Sequence, residues 1–298
     1  MRRQELLWAS LGGVAAVSAL SLLIVLLRGV ASAPRRCAAG FVAEISRCCP
    51  RGQGERDGAC VGAVTACPPR LSLHGDAVAG CAVVPTRVRI VGGQLEVTAT
   101  DWEGARRDPP RTTSVAPFLI DAHEVTHARW QECVRGGVCR ALGAAEPGLP
   151  VTRVSPEEAA AFCRFVSGRL PRGDEWSFAA GVGRGFRYPW GSTGLVCRRA
   201  AFGLVAGPCA VGARGPELAG ARPDGATPDG VEDLAGNVAE WTVEPDGTMT
   251  ARGGSYASRF AAELKAWASV TSAGADARVG LRCVYDVGTA PGSERGGG

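Results

Sequence analysis

A loop-rich α+β domain, preceded by an N-terminal transmembrane helix and a small disulfide-rich segment, is the architecture this sequence predicts. Three observations carry that reading. Leu6 to Leu27 contains no charged residue, and six of the twelve cysteines fall before residue 82. Beyond Gly181 the chain is rich in Gly and Pro, with short strand-like runs such as Val279 to Val284, a pattern of α+β packing and not of a doubly wound sheet. The segments divide at residues 1–33, 34–85, 86–286 and 287–298.

In the first segment the apolar run, as a helix, is about 33 Å long, enough to cross a hydrocarbon core of about 30 Å. Arg2 and Arg3 precede it and Arg28 closes it. Ala31-Ser32-Ala33 resembles a signal-peptidase site, but the apolar run exceeds the usual length and Pro34 would be the first mature residue. The expectation is an uncleaved anchor in the cell membrane, with secretion after cleavage as the alternative. The flanking arginines balance and give no orientation. Twelve cysteines behind an export segment do: they imply disulfides in an oxidising compartment, with the globular part periplasmic or extracellular.

In the second segment Cys37, Cys48, Cys49, Cys60, Cys67 and Cys81 lie in a Gly/Pro/Arg-rich stretch with little apolar periodicity. About 50 such residues cannot build a core alone, so bridges are expected to hold them. The spacing does not choose the pairing. It also offers no CxxC pair and no histidine but His74, which argues against a metal knuckle.

In the third segment, Ser155-Pro156-Glu157-Glu158 reads as a helix start, with Ser155 as cap, Pro156 at the first position and Glu158 completing a capping box. Ala159, Phe162, Cys163 and Val166 share a face, and Gly168 is expected to end the helix. A short helix after Pro171 should carry Trp176 inward. Cys133 and Cys139 flank the short loop VRGGV, and Cys197 and Cys209 flank another, so both pairs can close. No free thiol is expected. The net charge is +4 with scattered basic residues, so nucleic acid is not an expected partner. The fourth segment, ending GTAPGSERGGG, reads as a disordered tail.

His123-Glu124-Val125-Thr126-His127 matches HExxH, the pattern in which one helical turn offers two histidines to zinc and a glutamate to its water. Here Ile120 to Val125 reads as extended and Thr126 as the N-cap of a helix from His127 to Arg135, so the histidines point apart. They are expected to be a surface pair.

Asp233 to Trp241 reads DLAGNVAEW and holds Asn237, the only asparagine in the chain. FLIDAHEVT (118–126), RLPRGDEW (169–176), YPWG (188–191), RGGSY (252–256) and VGLRC (279–283) accompany it in order. Together, over residues 88–286, these phrases resemble the formylglycine-generating enzyme, or sulfatase-modifying factor, family. The resemblance implies a C-type-lectin-like fold and a bridge from Cys163 to Cys283. It also implies a calcium ion held by Asp233, the carbonyls of Gly236 and Val238, and Glu240, which suits a cation that takes hard oxygens. A tight turn held by an Asn237 side-chain hydrogen bond, without metal, is the other reading. Ala201 stands where some relatives place an asparagine of a second calcium site, so one site is expected at most.

The family's active site uses two cysteines after RGGSY, a thiolate pair suited to copper(I). The matching positions here are Ser258 and Glu263, hard oxygen groups that would not hold copper(I). Ser255 is kept, while Ala239 replaces a tryptophan and would remove a wall of the groove. Ala180 and Ala268 stand where some relatives have a further disulfide.

The expectation is therefore a membrane-anchored binding or scaffolding module without formylglycine-generating activity, its partner a peptide, glycan or protein. The alternative is an oxidase or other non-haem-metal enzyme on the same fold, akin to relatives linked to siderophore maturation. Ser255, Ser258 and Glu263 would be its groove residues, with Glu263 as base. A true formylglycine-generating enzyme is the least expected.

Overall fold

The computed structural model describes residues 37–97 and 111–287, apart from 38–40, 45–47, 57–58, 68–70, 75–79, 195–196 and 271–273. The expected membrane helix and most of the C-terminal tail lie outside the described residues. Among the described residues no helix is long and apolar enough to cross a membrane.

The cysteine-rich segment folds into three antiparallel hairpins, β1 (Phe41–Ala43) with β2 (Cys48–Pro50), β3 (Gly54–Arg56) with β4 (Ala59–Val61), and β5 (Leu71–His74) with β6 (Gly80–Val83). Cys48 and Cys49 are successive strand residues, so their side chains leave opposite faces of β2. Cys48 joins Cys37 and Cys49 joins Cys60, while Cys67 joins Cys81. Cys49 and Cys81 are fully buried, so sulfur substitutes for the apolar core this stretch lacks. The hairpins and the domain that follows form one compact unit.

In that domain β7 (Arg87–Ile90), β10 (Phe118–Asp121) and β15 (Val284–Asp286) make an antiparallel sheet with β10 central. A second sheet runs β13 (Ser269–Val270), β12 (Met249–Arg252), β11 (Ala239–Val243) and β14 (Val279–Gly280), its last pair parallel. β8 (Gly93–Val97) and β9 (Arg111–Val115) pair alone. Three short helices, α1 (His127–Arg135), α2 (Pro156–Phe165) and α3 (Gly173–Ala179), pack on this frame. One core gathers Trp130, Phe162, Trp241 and Leu281; another gathers Phe118, Ile120, Trp176 and Leu234.

The α2 capping box is present: Glu158 N donates to Ser155 Oγ at 3.2 Å, and Ser155 N to Glu158 Oε2 at 2.8 Å. Ala159, Phe162 and Cys163 face the core. The helix end differs from expectation, because Ser167 and not Gly168 takes the left-handed conformation, at φ 61°. Gly168 serves another need: a Cβ there would sit 2.7 Å from the Val284 carbonyl and 2.8 Å from the Tyr285 ring. Its missing side chain lets β15 approach, and Arg169 N donates to Val284 O at 2.9 Å.

The run Val279 to Val284 is not one strand. It splits between β14 and β15 in different sheets, because Arg282 turns fully into the interior between them. Cys163 is bridged to Cys283, Cys133 to Cys139 and Cys197 to Cys209, leaving no free cysteine. A bridge closing a loop as long as that from Cys163 to Cys283 limits the unfolded chain by about 4–5 kcal/mol in the chain-entropy model.

Candidate functional site

The turn before β11 is built around Asn237, whose φ of 55° and the 85° of Gly236 place both in the left-handed region. Asparagine tolerates this conformation, and its side chain completes the turn. Asn237 Oδ1 accepts from Glu217 N at 2.9 Å, and its Nδ2 donates to Glu124 Oε2 at 2.7 Å. Its backbone N donates to Ala201 O at 2.7 Å and its carbonyl accepts from Tyr256 N at 2.8 Å. A Cβ on Gly236 would collide with the Ala201 carbonyl. One residue, through two side-chain and two backbone bonds, thus ties four other chain segments together.

Glu124 is the other half of this knot, taking Val238 N on its second oxygen at 3.0 Å. Burial is the main force raising its pKa well above the usual carboxylate range, helped by the charges of Asp233 and Glu240. Glu124 lies in sequence within HExxH and within FLIDAHEVT, and the structure gives it a structural task, joining its segment to a turn more than a hundred residues away. The two histidines are not the expected surface pair: His123 is buried beside Glu232, with Nε2 and Oε2 3.5 Å apart. His127 begins α1 half-buried, and burial lowers its pKa. Thr126 holds the N-cap position, but its hydroxyl makes no cap bond.

Arg282 lies fully buried and supplies the positive charge of this region. It donates to both Glu240 oxygens, through Nε at 3.0 Å to each and Nη2 at 2.8 Å to Oε1. Its remaining donors meet Asp121 O at 2.7 Å and Glu232 O at 2.6 Å. Trp176 Nε1 adds a bond to Glu240 Oε2 at 2.7 Å. A buried ion pair survives only with such complete hydrogen bonding.

These contacts test the expected calcium donors. Asp233 is a candidate: it is buried, accepts Gly220 N at 2.6 Å, and burial foremost, with Glu232 adding repulsion, pushes its pKa up to about 6. Glu240 does not fit, since both its oxygens already face a guanidinium and an indole N–H. A calcium ion there would meet Arg282. Among the described residues no three His, Cys, Asp or Glu side chains gather as a metal site. Of the expected donors Asp233, Gly236, Val238 and Glu240, the last is the counter-ion of Arg282, and Asn237 and Glu124 hold the turn.

The second expected site follows β12. Ser255 and Ser258 are brought together, and both are buried. Ser255 N donates to Ser258 Oγ at 3.0 Å, and Ala257 N to Ser255 Oγ at 3.3 Å. Glu263 Oε1 accepts Arg259 N at 3.0 Å and Phe260 N at 2.9 Å, capping the one-turn 3₁₀ helix Ala261–Leu264. All three polar side chains therefore shape their own loop. Glu263, expected as the base of the alternative reading, caps this helix, and among the described residues no hydrogen bond joins either serine to a base. Ala239, which stands in place of a tryptophan, packs in the core beside Trp241 and pairs with Val279.

Comparison with known proteins places this geometry. Residues 76–287 match the model of the sulfatase-modifying factor enzyme 1-like domain. The chain is 30% identical over 231 residues to the inactive C-alpha-formylglycine-generating enzyme 2 of Mus musculus, covering 59% of this chain and 72% of that protein. It is 36% identical over 103 residues to the hercynine oxygenase of Mycolicibacterium thermoresistibile, a match that takes in 33% of this chain and only 22% of the relative. Among solved structures, PvdO from Pseudomonas aeruginosa superposes with a TM-score of 0.54 at 17% identity, over 68% of this chain and 95% of that one, a likeness of fold alone. The chain belongs to the sulfatase-modifying factor, or formylglycine-generating enzyme-like, family.

Proposed function

We propose that this chain is an exported binding or scaffolding module that keeps the family's frame without its copper chemistry. One observation carries the reading: the positions matching the copper-binding cysteines are Ser258 and Glu263, and both side chains are spent on hydrogen bonds within their own loop. Every cysteine is in a disulfide, so no thiolate pair is left for a soft metal. The bridges also favour an oxidising compartment, with Leu6 to Leu27 as membrane anchor. Full-length protein, supplied with copper and a peptide carrying the sulfatase Cys-x-Pro-x-Arg motif, is expected to leave the peptide cysteine unchanged by mass spectrometry. Appearance of formylglycine would reverse the reading. Recovery of the protein in the soluble fraction after export would remove the anchor but leave the module.

The second reading is a metal oxidase of different chemistry, favoured by the partial match to a hercynine oxygenase. The chain's three histidines weigh against it, since His123 is buried beside Glu232 and His127 opens α1. Iron retained in stoichiometric amount by purified protein would support this second reading.

A further inference from the structure

The six disulfides are not equally shielded from water. Cys49, Cys81, Cys133, Cys163 and Cys283 are fully buried, so each of the bridges to Cys60, Cys67 and Cys139, and that between Cys163 and Cys283, has at least one member closed off. Cys37 and Cys48 are both half-buried. Cys197 is the one exposed cysteine, and its partner Cys209, though buried, lies between the exposed residues Pro208 and Ala210. What this bridge holds can let go without opening the domain. Ala200 to Leu204 are buried and pinned by the backbone: Asn237 N donates to Ala201 O at 2.7 Å, and Leu204 N to Tyr256 O at 2.8 Å. On the far side of the loop Val211 N and Ala213 N donate to Leu204 O at 2.9 and 3.1 Å. Phe202 and Leu204 pack in one cluster with Tyr256. Between these anchors Val205 to Pro208 is exposed, so opening the bridge loosens a surface loop whose base stays fixed.

We propose that Cys197–Cys209 is a thiol-exchange site, at which a thiol from outside the chain attaches to Cys197 while the other five bridges stay closed. The attacking thiolate bonds to Cys197 Sγ as the Sγ–Sγ bond breaks. The electron pair leaves on Cys209 Sγ, which takes a proton from water through its exposed neighbours. A second thiol then releases Cys197 as a thiol and carries away the disulfide formed by the two attackers. Access decides which bridge reacts, because the nucleophile must reach a sulfur directly, and a buried one is out of reach until the fold opens. A small thiol and a protein thiol share this chemistry. The inference goes beyond the binding-module reading and does not depend on it.

The test incubates full-length protein in detergent with reduced glutathione or, separately, with a protein carrying a Cys-x-x-Cys dithiol. Samples are quenched by alkylation at successive times and mapped by mass spectrometry, with near-ultraviolet circular dichroism followed in parallel. Cys197–Cys209 is expected to open about ten-fold faster than any other bridge, with the folded signal kept. Glutathione should be found on Cys197 and the alkyl group on Cys209. Opening by both probes supports exchange with thiols in general, whereas opening by only one identifies its source as small or as protein. Two variants check which sulfur is attacked. Cys209→Ala leaves an exposed Cys197 that should take up oxidised glutathione, and Cys197→Ala leaves a Cys209 that should take it up about ten-fold more slowly. Another bridge opening first, all bridges opening together with loss of the folded signal, no opening by either probe, or the adduct on Cys209 would each overturn the proposal. Formylglycine formation would reverse the binding-module reading and leave this one standing.

Discussion

The Asn237 turn and the Ser255–Glu263 loop adjoin in space, yet they use polar residues in opposite ways. Around Asn237 every polar group reaches across the molecule: to Glu124, Glu217, Ala201 and Tyr256, with Arg282 and Glu240 beneath. In the later loop Ser255, Ser258 and Glu263 bond only within a few residues of themselves and leave Arg259 and Phe260 facing outward. The first arrangement fixes the fold, because removing any member strands a buried partner. The second keeps a surface in shape without committing its outer side chains. The difference explains how the family's frame persists where its reactive residues do not.

The contrast is broken most severely at Arg282. Arg282→Met leaves the Glu240 carboxylate buried without its cation and should destabilise the protein by about 3–5 kcal/mol in denaturant unfolding. A loss below about 1 kcal/mol would mean that water or a metal ion takes the place of the guanidinium. Asn237→Ala comes next, at about 2–4 kcal/mol, because it strands a Glu124 oxygen and the Glu217 N–H and puts alanine in a left-handed turn. Glu263→Ala removes only a cap and should cost about 0.5–2 kcal/mol, measured in the same way. If it proved as damaging as Asn237→Ala, the later loop would belong to the frame as well. The smallest effect expected is that of calcium: millimolar calcium or a chelator should move the melting temperature by no more than about 1 °C, since Arg282 and Trp176 already take both Glu240 oxygens and only a ligand held by the folded state adds stability. A concentration-dependent rise would show that Asp233 recruits the ion even with Glu240 held by Arg282.

Much of the frame is legible locally. The Ser155–Glu158 cap, the inward Trp176 and the start of α1 at His127 follow from residue types within one or two turns. Less of the site is legible. Glu124 sits in a metal-like motif whose chemistry depends on whether a helix has already begun, and here it begins three residues later. Glu240 looks like a calcium ligand in its own phrase, and only its distance of 42 positions from Arg282 conceals the true partner. Gly168 looks like a helix stop, whereas its task is to admit β15.

By itself, then, the sequence determined the family frame, the local helix starts and the absence of a thiolate pair after RGGSY. Those are properties of residue identity and short spacing. Only the tertiary structure decided that Arg282 neutralises Glu240, that Glu124 answers Asn237, and that Ser258 and Glu263 serve their own loop. Each of these depends on which distant charge or donor burial brings within about 3 Å, and a linear pattern does not encode that.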